Sequence, residues 1–144
     1  MATVTLRNDI AELERLAGMV SEFWSAHGLP PALEADITLA LDEAVSNVIR
    51  YGFRDGAEHH IEVSLTREGD QLRLAVEDDG VAFNPLERPD PDVTLPLAER
   101  PIGGLGIYLI RRLMDGVEYR RAEGRNRLVM TRRILKTTAS GPTG

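Results

Sequence analysis

HIEVSLTREGDQLRLAVEDDGVAF, residues 60–83, alternates apolar and polar positions twice over. In 60–66, Ile61, Val63 and Leu65 fall on one side; in 71–77, Leu72, Leu74 and Val76 do the same, with polar groups opposite. Glu68-Gly69-Asp70 between them reads as a turn, so the stretch predicts an antiparallel hairpin with one covered face. Period two carries Asp78 onto that covered side and Asp79 onto the exposed one. Gly80 permits positive φ and close approach of a ligand after the strand.

Upstream, residues 3–7 read as a short strand. Asn8 or Asp9 can cap a helix whose apolar positions Ile10, Leu13, Leu16, Ala17, Val20 and Trp24 keep helical spacing to about His27. Trp24 on that stripe reads as a core residue. Gly28 stops this helix, and Pro30-Pro31 opens a second, because a first turn does not need the donor that proline lacks. Ile37, Leu41, Ala44 and Val48 give the second helix its core face as far as Tyr51, with Gly52 as terminator. Downstream, residues 84–101 hold five of the eight prolines and read as a long functional loop. A glycine-rich segment, GGLGI (103–107), then leads into a helix ending near Met114 or Asp115. Two strands, about 116–122 and 127–135, are joined by residues 123–126, and the tail reads as disordered. Strand, helix, helix, two strands, loop, helix, two strands predicts an α+β two-layer sandwich with helices on one sheet face. The expected organisation is a single domain over 1–136 with a tail at 137–144.

Composition narrows the function. The 144 residues carry a formal net charge of -6, which disfavours nucleic acid as a partner. There is no cysteine, hence no disulfide framework and no thiolate zinc site, and the three histidines are not spaced as a metal cluster. With no apolar run long enough for a membrane span and no secretory leader, the expectation is a soluble cytoplasmic protein. Lys136 is the only lysine, so neither a P-loop nor a protein-kinase strand lysine can be built.

Three segments carry possible chemistry. Glu43 and Asn47 lie one turn apart on one helical face, with Asp36 and Ala40 continuing the stripe. ExxxN alone is commonly a solvated stripe. A carboxamide oxygen is also a hard ligand that can complete a magnesium shell of waters and phosphates, and Glu43 could accept a proton from an attacking hydroxyl or water. Asp78 on a covered face requires a donor: the exocyclic amine of adenine would serve, as would a turn it caps itself. The glycines of GGLGI either form a plain turn or leave backbone N–H groups at a helix N-terminus for phosphate, with Arg100 and Arg88 as candidate charges.

The combination of LDEAVSNVIRYGF (41–53), VEDDGVAFNP (76–85) and PIGGLGIYLIRRLMDGVEYRR (101–121) resembles the Bergerat-fold (GHKL) ATP-binding class, within it most of all the small anti-sigma-factor serine/threonine kinases. The resemblance covers essentially the whole chain. It implies a mixed, mostly antiparallel sheet beneath helices and an ATP lid at about 84–102. It further implies Glu43 as catalytic base, Asn47 as magnesium ligand and Asp78 as adenine-amine acceptor. Gly80, Gly104 and Gly106 would shape the pocket and lid, with Gly103 and Leu105 beside them. Two positions depart from the family pattern: Ala82 stands for the second glycine of DxGxG, and Ile102 for the first of GxGxG. Kinases of this group phosphorylate a small anti-anti-sigma (STAS-domain) protein and hold a sigma factor by partner switching, so the resemblance implies ATP, magnesium, those two partners and a homodimer. The alternative is a non-catalytic ATP/ADP-sensing module. A histidine-kinase fragment ranks behind both, since no phosphoacceptor helix precedes the domain, and a gyrase-like ATPase is disfavoured because no transducer domain follows.

Overall fold

A computed structural model describes residues 1–87 and 104–134. Among the described residues, five strands form one sheet: β1 (Ala2–Arg7), β2 (His60–Glu68), β3 (Gln71–Asp78), β4 (Gly116–Ala122) and β5 (Arg125–Arg133). Accompanying it among those residues are the α-helices α1 (Leu13–His27), α2 (Pro31–Tyr51) and α3 (Gly104–Leu113). Strand order is β1-β2-β3-β5-β4. Each of these pairings is antiparallel, because β5, the return limb of the last hairpin, lies beside β3 and leaves β4 at the edge. Among the described residues, no helix is long and apolar enough to cross a membrane.

The covered face is built in cross-strand rows. Val4, Val63, Val76, Leu128 and Tyr119 form one row across the whole sheet, and Leu6, Ile61, Asp78, Asn126 and Arg121 form the next. Over these rows pack Leu16, Val20 and Phe23 of α1, Ile37, Leu41 and Ala44 of α2, and Ile107 and Ile110 of α3. Each fully buried Leu or Ile contributes about 1.5–3 kcal/mol by leaving water, so the hairpin and helix stripes that predict the fold also supply much of its stability.

Helix ends follow the local chemistry. Gly28 caps α1 in the left-handed conformation, with φ 59°. Trp24 is buried and its Nε1 donates to Pro30 O at 2.8 Å, locking the α1–α2 corner. Asp9 caps, but what it caps is a 3-10 turn (Ile10–Glu12) ahead of α1, so Ile10 leaves the expected apolar stripe and is 48% exposed. Ala17 is also exposed, and Phe23 completes the buried face in its place.

Both hairpin turns are tighter than expected. Strand β2 runs through Glu68, leaving Gly69-Asp70 as the turn. The last hairpin turns on Glu123-Gly124 alone, with φ 54° and 75°, the two-positive-φ geometry that matches strand twist. Arg125 and Asn126, expected in the turn, therefore belong to β5. The expected lid (about 84–102) lies outside the described residues from 88 onward, and so do Arg88, Arg100, Ile102, Gly103 and the tail.

Candidate nucleotide site

Helix α2 brings Asn47 to a cavity where its C-terminal half faces the ends of β3 and β5. Ala44, Asn47 and Gly52 line it from the helix side, Asp78 and Asn126 from the sheet, and Phe83 and Pro85 from the segment after β3. Asn47 is only 5% exposed, which removes the solvated-stripe reading for this residue. Among the described residues its carboxamide makes no hydrogen bond, so it is available to a ligand in the cavity. Glu43, one turn earlier, is half-buried and stands outside the cavity lining. Beside it in sequence, Asp42 has its carboxyl raised above the usual range, by burial first and by Glu43 second.

Asp78 is 2% exposed on the covered face, as strand phase predicts. Its Oδ1 accepts from Gly80 N at 2.8 Å and from Asn126 Nδ2 at 3.0 Å. Thus Asp78 does cap its own turn. Both bonds fall on Oδ1, however, and among the described residues Oδ2 takes none, which leaves one acceptor for a cavity ligand. Asp79 is exposed, and its Oδ1 lies 3.3 Å from His59 Nδ1.

The turn after β3 is docked on the end of α2. Val81 N donates to Gly52 O at 2.8 Å, and Gly80 passes so close that a Cβ there would stand 2.3 Å from Gly52 O. Gly80 is therefore required by approach to another backbone. Ala82, next but one, is exposed. On the far side His59 bridges the same region: its Nε2 contacts the Asp55 carboxylate at 2.8 Å and its ring stacks on Phe53 at 4.3 Å. The hydrogen bond that His59 donates to the Asp55 carboxylate raises the His59 pKa.

Gly104 opens α3, with Leu105 and Gly106 in its first turn, so the glycine-rich segment does lead into a helix N-terminus. Helix α3 packs against α2, and Arg111 Nη2 reaches back to Leu86 O at 2.6 Å. Arg132, on the covered face of β5, donates to Leu113 O at 2.5 Å and to Asp36 Oδ2 at 3.3 Å, joining α3, α2 and the sheet.

Sequence reasoning passed over Asn126, Tyr119 and Arg121. Their signal was present: with Glu123-Gly124 as a two-residue turn, period two puts Asn126 on the covered face with Leu128 and Met130, in register with Asp78.

Residues 6–132 match the family described as the histidine kinase-like ATPase domain. Among curated proteins, the chain is 30% identical over 119 residues to the serine/threonine-protein kinase BtrW of Bordetella bronchiseptica, covering 83% of this chain and 79% of that one. It is 32% identical over 105 residues to the serine-protein kinase RsbW of Bacillus cereus, covering 70% of this chain but 64% of the relative. Among solved structures, the fold matches the crystal structure of the RsbU and RsbW domains of a Mycobacterium tuberculosis protein with TM-score 0.65 and 18% identity, over 92% of this chain and 31% of that one. A blue-light activated histidine kinase domain from Erythrobacter litoralis matches with TM-score 0.57 and 18% identity, over 87% of this chain and 60% of that one.

Proposed function

Because the chain belongs to the histidine kinase-like ATPase family, we propose that it is an ATP-dependent serine/threonine protein kinase of the anti-sigma-factor type. Its substrate in this reading is a hydroxyl on a small STAS-domain protein. Its second partner is a sigma factor or equivalent regulator, held in alternation with the first, and the working form is a cytoplasmic homodimer. The names of the two curated relatives support the kinase activity. The observation that carries the reading is the convergence on one cavity of two groups that make no protein hydrogen bond among the described residues, the Asn47 carboxamide from α2 and Asp78 Oδ2 from β3.

The cavity encloses about 30 Å³ in this form, far below the roughly 300 Å³ of a small-molecule pocket. Purine entry therefore requires the Phe83–Pro85 wall to move outward, and that wall leads into the segment expected as the lid. Asp78 Oδ2 would accept the adenine amine, and N–H groups at the start of α3 would face the phosphates. A carboxamide oxygen is a hard ligand of the kind that fits magnesium, which keeps most of its waters; Asn47 in the cavity lining would hold the ion, and it would neutralise phosphate charge. Glu43 would accept the proton of the acceptor hydroxyl as that oxygen bonds the γ-phosphorus and the bond to the ADP oxygen breaks.

The deciding experiment incubates γ-labelled ATP and magnesium with soluble extract of the source cells, using the wild-type chain and Glu43→Ala. Label in a small protein with the wild type alone is the expected result. ATP binding without transfer, even to added STAS proteins, would replace this reading with a nucleotide-sensing module, an outcome that the position of Glu43 outside the lining makes worth testing.

A further inference from the structure

We propose that Asn126 is the positioning residue of the nucleotide site, fixing the plane of the Asp78 carboxylate so that its open oxygen faces the base; the inference rests on the nucleotide reading above. Asn126 is 6% exposed and carries five hydrogen bonds on one carboxamide. Its Nδ2 donates to Asp78 Oδ1 at 3.0 Å and to Val81 O at 2.8 Å. Its Oδ1 accepts from Tyr119 OH at 2.5 Å, from Arg121 Nη1 at 3.2 Å and from Phe83 N at 3.4 Å.

Chemistry fixes the orientation of this amide. The Val81 carbonyl can only accept, whereas the Phe83 amide and the Arg121 guanidinium can only donate, so a flipped Asn126 would set like against like on both sides. Arg121, held there, also donates to Gly80 O at 2.7 Å. Through these contacts the β4–β5 hairpin grips Asp78, Gly80, Val81 and Phe83, the turn that forms the cavity wall.

An Asp that merely capped its turn would need Gly80 N alone. The second donor, from Asn126, commits Oδ1 to the protein and leaves Oδ2 for the exocyclic amine. Without it, the carboxylate would be free to turn about its Cβ–Cγ bond, its open lone pairs would lose their aim at the amine, and the distinction between an amino and an oxo group on the purine would weaken.

Calorimetric titration with ADP and with inosine diphosphate, which carries an oxo group in place of the amine, tests this. Wild type should prefer ADP. Asn126→Asp sets a carboxylate oxygen against Val81 O and Asp78 Oδ1, and should weaken ADP by about tenfold or more while moving the ADP-to-IDP preference toward unity. Tyr119→Phe, which keeps the ring and removes the hydroxyl on Asn126 Oδ1, should move the preference the same way by a smaller factor, and it decides the matter should Asn126→Asp fail to fold. A purely structural Asn126 would lower the melting temperature and weaken both nucleotides alike; an unchanged preference in the folded variants overturns the proposal. Failure of the wild type to bind either nucleotide would instead sink the nucleotide reading itself, and would be seen before any variant is compared.

Discussion

Replacing Gly80 with alanine tests the close approach of the turn after β3 to the end of α2. A Cβ at this position would lie 2.3 Å from Gly52 O, 2.9 Å from Gly52 C and 3.0 Å from Asp78 Oδ1. No side-chain rotation relieves a contact with a helix-terminal carbonyl, so the turn must back away from α2 by roughly 0.7 Å to reach even a tight contact. That movement stretches the 2.8 Å bond from Val81 N to Gly52 O beyond useful length. Overpacking costs about 1–3 kcal/mol and the lost bond about 1 kcal/mol, for a total of about 2–4 kcal/mol. At roughly 3 °C per kcal/mol for a chain of this size, Gly80→Ala should melt about 6–12 °C below wild type in a calorimetric scan. It should also weaken ADP, because Asp78 Oδ1 is held by Gly80 N. Gly18 is the control: it lies within α1 and a Cβ there meets nothing within 4 Å, so Gly18→Ala should stabilise by about 0.8–1 kcal/mol. The same chemical change then has opposite signs at two sites. A Gly80→Ala protein melting within about 1 °C of wild type with unaltered ADP affinity would refute the claim that the turn is pinned against α2.

Three further outcomes are expected. Asp78→Asn can keep an oxygen toward Gly80 N and Asn126 Nδ2 while presenting a donor to the adenine amine, so it should fold normally and lose ADP affinity by at least about tenfold; wild-type affinity by calorimetry would remove Asp78 from that role. Glu12 is held at a pKa of about 2, chiefly by the backbone N–H of Arg7 and then by the Arg7 and Arg15 guanidinium groups. Its contribution to stability is present above the ordinary value of 4.5 and disappears as pH falls toward 2, so Glu12→Gln should destabilise at neutral pH and converge with wild type in acid. A constant difference across that range would be inconsistent. His59 has the opposite sign: its pKa is raised, so its contribution is full below the ordinary 6.5 and is lost as pH rises through the raised value. The melting-temperature gap between wild type and His59→Gln should accordingly be wider at about pH 6 than at about pH 8.5, and an equal gap would contradict the ion pair with Asp55.

Elements with strong periodicity or punctuation were legible in the sequence. Ile61 to Leu65 and Leu72 to Val76 alternate because a sheet with one covered face has no other arrangement, and Gly28 ends α1 and Pro31 opens α2 for reasons of local backbone sterics. Asp78 could be assigned to the covered face because strand phase is local and persists through the end of β3. The antiparallel pairing inside each hairpin followed from its short turn, whereas the antiparallel pairing of β1 with β2 and of β3 with β5 was decided by the strand order.

Tertiary structure decided what depends on two segments meeting. That Asn47 is buried and Glu43 only half so cannot be read from their spacing, since both sit on one helical face and the difference comes from what lies across from each turn. The requirement for glycine at 80 arises from the carbonyl of residue 52, a neighbour through space. Asn126 is the clearest case. Its residue type and phase were in the chain, but a four-residue turn hid the phase, and only the β3–β5 register placed it against Asp78. Periodicity reports which side of an element meets the core, because solvent acts on each residue separately. It does not report which partner is met there, because that is fixed by the order of strands and the packing of helices over the whole chain.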